Sequence, residues 1–130
     1  MTLVHHVIAA APKAPAPYSH AVEAGGLVFV TGQMPSDPDA PDAPLPAGIE
    51  AQARQVMANL RLVLGEIGLG LEHTAMARIY LANFERDDPG LNKVWIEHFA
   101  SGHLPARTTV GVTGLALGAL VEIDLVAVRP

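Results

Sequence analysis

The stretch LVEIDLVAV, residues 120–128, constrains this chain more than any other. Side chains alternate across a β-strand, so Val121, Ile123, Leu125 and Ala127 point one way and Glu122 and Asp124 the other. A strand with one apolar side belongs in a sheet whose apolar face is covered. Two other stretches can supply the cover. Residues 49–67 carry Ile49, Ala53, Val56, Met57, Leu60, Val63, Leu64 and Ile67 at spacings of three and four, a single helical stripe. Gln52, Arg54, Gln55, Arg61 and Glu66 fall largely off it, and Gly68 is placed to end the helix in a left-handed conformation. A second helix is expected to begin near Asp87 or Asp88 with Pro89 in its first turn. It would bury Leu91, Val94, Trp95 and Phe99, with Gly102 and Pro105 closing it.

The remaining segments suit strands. VHHVIAA (4–10) is rich in Val and Ile, and SHAVEAGGLVFVTGQ describes two strands joined by a turn at Gly25-Gly26. MPSDPDAPDAPLPAG carries five prolines and is expected as an extended surface loop. HTAMARIYLANF (73–84) alternates, and LPARTTVGV (104–112) forms a strand opened by Arg107. The order is β-β-β-α-β-α-β-β. It specifies an α+β domain over residues 1–130, with one mixed sheet of about six strands and two helices on one face. The face carrying Glu122 is then solvated or meets another subunit.

At 130 residues the chain can bury roughly two-thirds of its unfolded surface as one domain. Half of the residues are apolar and 16% are charged, against about 25% charged in ordinary soluble domains. So little charge suggests surface covered by further copies of the chain, that is, a homo-oligomer. The formal net charge is −5, and the eight basic residues are scattered singly. Nucleic acid is therefore a poor partner, since counterion displacement needs clustered Lys and Arg. No cysteine is present, which excludes disulfides, thiolate nucleophiles and Cys-type zinc sites. MTLVHHVIAAAPKAPAP lacks a basic region leading a long apolar core, and no run reaches membrane-spanning length. No membrane partner and a cytoplasmic location are the expectation.

Several chemistries lose support from the motifs. The six histidines include no HExxH, and His5-His6 point apart on a strand, so no metal site is expected. There is no G-x-S-x-G elbow, and Ser101-Gly102 follows a helix rather than a strand. Neither GxGxxG nor GxxxxGK[ST] occurs, so no nucleotide cofactor is expected. Arg107 is the one Lys or Arg between Lys93 and Arg129, and Glu122 lies on the last strand. If these two strands neighbour each other, both groups can share the face away from the helices. The guanidinium would grip a substrate carboxylate bidentately while the glutamate positions a water. A structural ion pair accounts for the same pattern equally well. Placement on opposite sides of the sheet would end the shared cleft.

APYSHA (16–21), VFVTGQMP (28–35), AQARQVMANL (51–60), LNKVWIEHF (91–99), LPART (104–108) and VEIDLVAV (121–128) resemble, in order, the RidA/YjgF imine deaminases. The likeness runs from about residue 5 to the end. It implies a chorismate-mutase-like α+β fold and a homotrimer with sites at subunit interfaces. It also implies cofactor-free hydrolysis of small 2-enamino and 2-imino acids, such as 2-aminoacrylate and its tautomer 2-iminopropanoate, to 2-keto acids and ammonia. Carried over by position, Arg107 binds the carboxylate and Glu122 orients the attacking water. Tyr18 helps close the pocket, Thr31 keeps the hydroxyl of a usual serine, and Asn92 lines the site. Thr109 stands where cysteine is frequent, so only its main chain can keep a role at the imine. His20 replaces a usual glutamine and Ala16 a usual glycine, both at the pocket rim. The connection ASGH before Leu104 is short. These departures leave open a pathway-specific deaminase of aminoacrylate or aminomuconate type. A non-catalytic metabolite-binding or chaperone-like trimer is the reading from a different class.

Overall fold

The computed structural model describes residues 2–99 and 102–130. The reading of Ser101, and with it the length of the ASGH connection, lies outside the described residues. Strands β1 (Val4–His6), β2 (Ala21–Ala24) and β3 (Leu27–Gln33) precede helix α1 (Ile49–Glu66). Strand β4 (Thr74–Leu81), helix α2 (Phe84–His98), β5 (Ala106–Gly111) and β6 (Val121–Val128) complete the order expected from the sequence. The six strands make one sheet in the order β1-β2-β3-β6-β4-β5. Only β4 and β5 pair in parallel.

The β2–β3 turn forms where the two glycines stand. Gly25 and Gly26 have φ of 56° and 82°, the left-handed pair of a tight hairpin turn whose twist matches the strands. Strand β1 is shorter than VHHVIAA suggested. After His6 the chain leaves the sheet, and the Ile8 amide donates to the His20 ring rather than to a strand. In β3 the pairing with β6 slips between Val30 and Gln33, leaving Thr31 and Gly32 in a bulge.

Helix α1 buries Val56, Met57, Leu60, Val63 and Leu64 against the sheet, each contributing about 1.5–3 kcal/mol. Gly68, with φ of 81°, ends it, and the Leu69 amide reaches back 2.8 Å to the Leu64 carbonyl. Two polar residues of α1 are also buried. Gln52 accepts from the Leu120 amide (2.8 Å) and donates to the Pro46 carbonyl (3.0 Å), so it stitches two loops to the helix. Asn59 donates to the carbonyls of Met34 and Ser36.

Helix α2 begins earlier than the Asp87–Asp88 start expected from Pro89. Asn83 caps it, its Oδ1 accepting from the Arg86 amide at 3.2 Å, and Pro89 lies inside the helix. The side-chain cap at Asn83 outweighed the proline signal. Leu91, Val94, Trp95 and Phe99 form the buried side, as the spacing predicted. Both helices cover the face made by Val28, Val30, Ala77, Ile79, Leu81, Ile123 and Leu125.

Candidate active site

The register decides which side chains can meet. Arg107 pairs with Ala77 of β4, and Ala77 pairs with Leu125 of β6; all three lie on the helix-covered face. Glu122 pairs with Tyr80 and lies on the open face. Strand β4 runs between β5 and β6, so their axes are roughly 10 Å apart. Arg107 and Glu122 therefore cannot share a cleft within one chain, and the same-face expectation is corrected. Its premise, that β5 and β6 are neighbours, fails.

Each residue instead anchors its own half-site. At the sheet edge, the Arg107 guanidinium lies over the Trp95 ring, 5.4 Å from its centroid, a favourable cation–π placement. It donates to Asn92 Oδ1 at 2.6 Å. Trp95 is in turn packed on Phe99 with centroids 4.5 Å apart. Thr109 follows two residues along on the same side, and its buried hydroxyl has no hydrogen-bond partner among the described residues. Arg107 has no carboxylate partner among the described residues, so its outer donors stay available. Gly111, next in the alternation, lies against Phe84 of α2.

On the open face, the bulge in β3 brings Gly32 against Glu122. A Cβ at position 32 would overlap the Glu122 carboxylate, so only glycine fits there. Burial, and then the nearby Asp124 charge, push the Glu122 carboxyl above its ordinary range. Tyr18 stands close enough that burial and the Glu122 charge together push its phenol up. Asp124 is held by Arg78 (2.8 Å) and by the Tyr80 hydroxyl (3.0 Å), so Glu122 is the acid left without an ion-pair partner on this face among the described residues. Thr31 does not aim its hydroxyl proton into the site. It donates to the Ser19 carbonyl at 2.6 Å, while the Thr31 amide donates to the His20 carbonyl. Its visible work is to hold the Tyr18 segment.

The sequence expectations thus divide into two groups. Tyr18, Thr31 and Glu122 gather on the open face, and Asn92, Arg107 and Thr109 gather beside α2. Gly32 and Trp95 were not singled out from the sequence, although both stand inside the quoted VFVTGQMP and LNKVWIEHF. The glycine between Thr31 and Gln33 was the available signal.

The endoribonuclease L-PSP family model matches residues 8–129. The chain is 36% identical over 130 residues to a RutC family protein of Synechocystis, covering 100% of this chain and 99% of that one. This chain belongs to the RidA/YjgF family. Yeast Mmf1 superposes with a TM-score of 0.89 at 34% identity, covering 99% of this chain and 100% of that one. RidA of an Antarctic Psychrobacter superposes with a TM-score of 0.88 at 30% identity, covering 96% and 98%. The RidA-like fold, a mixed six-stranded sheet under two helices, is that of these neighbours. No helix among the described residues of this RidA/YjgF member is long and apolar enough to cross a membrane.

Proposed function

We propose that the protein is an enamine/imine deaminase whose active site is completed by a neighbouring copy, most simply in a homotrimer. The observation that carries this reading is the split itself. One chain presents a guanidinium without a carboxylate on one side of the sheet, and a carboxylate without a cation on the other. Joining the Arg107 half of one copy to the Glu122 half of the next produces the cleft that one chain lacks. A closed ring of identical contacts completes every site in this way.

In that cleft Arg107 holds the carboxylate of a small 2-imino acid, with Asn92 fixing the guanidinium and Trp95 supporting it from below. An enamine substrate first takes a proton at C3 to become the imine. Glu122 accepts a proton from water as its oxygen adds to the imine carbon. The tetrahedral carbinolamine then collapses: the C–N bond breaks, the nitrogen leaves as ammonia with the proton returned, and a 2-keto acid remains. A raised carboxyl suits Glu122 to this exchange, because a base works best when its affinity for protons lies nearer the working pH. Orientation contributes most, since imines hydrolyse readily once held and exposed to water. No cofactor has a part in these steps. The endoribonuclease in the family description belongs to that description, and a net charge of −5 offers RNA little attraction.

Two variants test the reading together. Arg107→Ala and Glu122→Gln should each reduce ammonia release from freshly generated 2-iminopropanoate by roughly 10²–10⁴-fold over the uncatalysed background, with unchanged circular dichroism. When the two are unfolded, mixed and refolded together, activity should return to about a quarter of wild type, because random assembly rebuilds that share of sites. A mixture as inactive as its parents would refute the shared site.

A further inference from the structure

The open-face half-site extends past Glu122 into a cavity of about 50 Å³, with Pro15, Tyr18, Gly32, Met34 and Leu117 in its lining. Its walls are held from behind by two buried polar side chains. The His20 ring, 5% exposed, accepts from the Ile8 amide at Nδ1 (2.9 Å). Nε2 must then carry the proton, and it donates to the Pro12 carbonyl at 2.8 Å. This clasp ties the loop after β1 to the start of β2, and so it resolves the role of the histidine at the rim. On the other side Asn59, 1% exposed, fixes the carbonyls of Met34 and Ser36.

Between these walls stands Leu117. It is the one non-glycine residue with positive φ among the described residues (φ 61°, ψ 14°), and it is 62% exposed. A left-handed backbone and a large apolar side chain left in water are both unfavourable in isolation. Strain of this kind collects where a binding surface needs a side chain in one place. Lys13 is the one charged residue in the lining, and the rest is mostly proline, alanine, methionine and leucine.

We infer that this cavity is the side-chain subsite for the 2-imino acid: it receives a short apolar substituent, and Leu117 sets the length it accepts. The inference rests on the deaminase reading, because the substrate carboxylate must be held by the neighbouring copy's half-site for its substituent to reach Leu117. A volume of about 50 Å³ takes a substituent of roughly one to three carbons. Methyl and ethyl groups fit, and isobutyl does not.

The test compares imines made in situ from alanine, 2-aminobutyrate, leucine and glutamate, using wild-type protein and Leu117→Ala. Wild type should favour the two short substituents. In Leu117→Ala the ratio of kcat/KM for the leucine-derived to the alanine-derived imine should rise about tenfold. An unchanged ratio overturns the subsite, and a preference for the glutamate-derived imine assigns the cavity to Lys13 and overturns it as well. Should wild type hydrolyse no imine, the deaminase reading fails separately. Calorimetric binding of 2-oxobutanoate against 4-methyl-2-oxopentanoate still measures the subsite in that case. Leu117→Ala must shift the affinity order toward the longer acid, and an unshifted order overturns the proposal.

Discussion

Under the helices, Ala77, Ile79, Val121 and Ile123 are fully buried and bring no polar side-chain atom to the core. On the opposite side of the same strands, Phe29 is 47% exposed and Leu27 and Val128 are also exposed, beside Arg78, Tyr80, Glu122 and Asp124. The first surface is a finished core. The second mixes exposed aromatic and aliphatic groups with a paired Arg78–Asp124 and an unpaired acid, the composition of a surface that meets a partner. In this chain stability is built on one face and chemistry is divided between the other face and the sheet edge.

Substitutions on the two faces should therefore separate into different measurements. Ile79→Ala should have the largest effect on stability, about 2–5 kcal/mol in urea unfolding, since it empties a packed position under α1 and α2. A loss below 1 kcal/mol would mean that the covered face is not the core. Phe29→Ser should change the stability of a single chain by no more than about 0.5 kcal/mol. It should nevertheless lower the molar mass in light scattering to that of one chain and remove the concentration dependence of Tm. An unchanged mass would place the interface elsewhere. The smallest effect belongs to Glu122→Gln. With its carboxyl raised in the folded state, Glu122 binds its proton more tightly folded than unfolded, so the ionised group costs stability above the folded value. That cost disappears below the unfolded value of about 4.3. Glu122→Gln should be more stable than wild type at about pH 8 and equal to it at about pH 3. Urea midpoints in the opposite order would show that the open face does not desolvate this acid.

The same contrast explains what was legible in advance. On β6, Ile123 and Leu125 against Glu122 and Asp124 leave no doubt about which side is buried, and α1 shows its stripe as clearly. Strand β5 carries no such contrast. Its apolar Ala106 and Val110 face outward, while Arg107 and Thr109 face α2, because an edge strand lies only partly under the helices. Asn83 hid as a cap because Pro89 offered a louder but later start signal. The burial of Gln52 and Asn59 depends on loop carbonyls that arrive from residues 34–46 and on the Leu120 amide, none of which a helical wheel displays.

From residue order alone come the eight elements, the glycine turn, the apolar sides of α1, α2 and β6, and the residue types able to hold a carboxylate and move a proton. Alternation orients each side chain only relative to its own strand. Strand pairing is long-range, and placing β4 between β5 and β6 sent Arg107 and Glu122 to opposite sides of the sheet, a choice no local periodicity encodes.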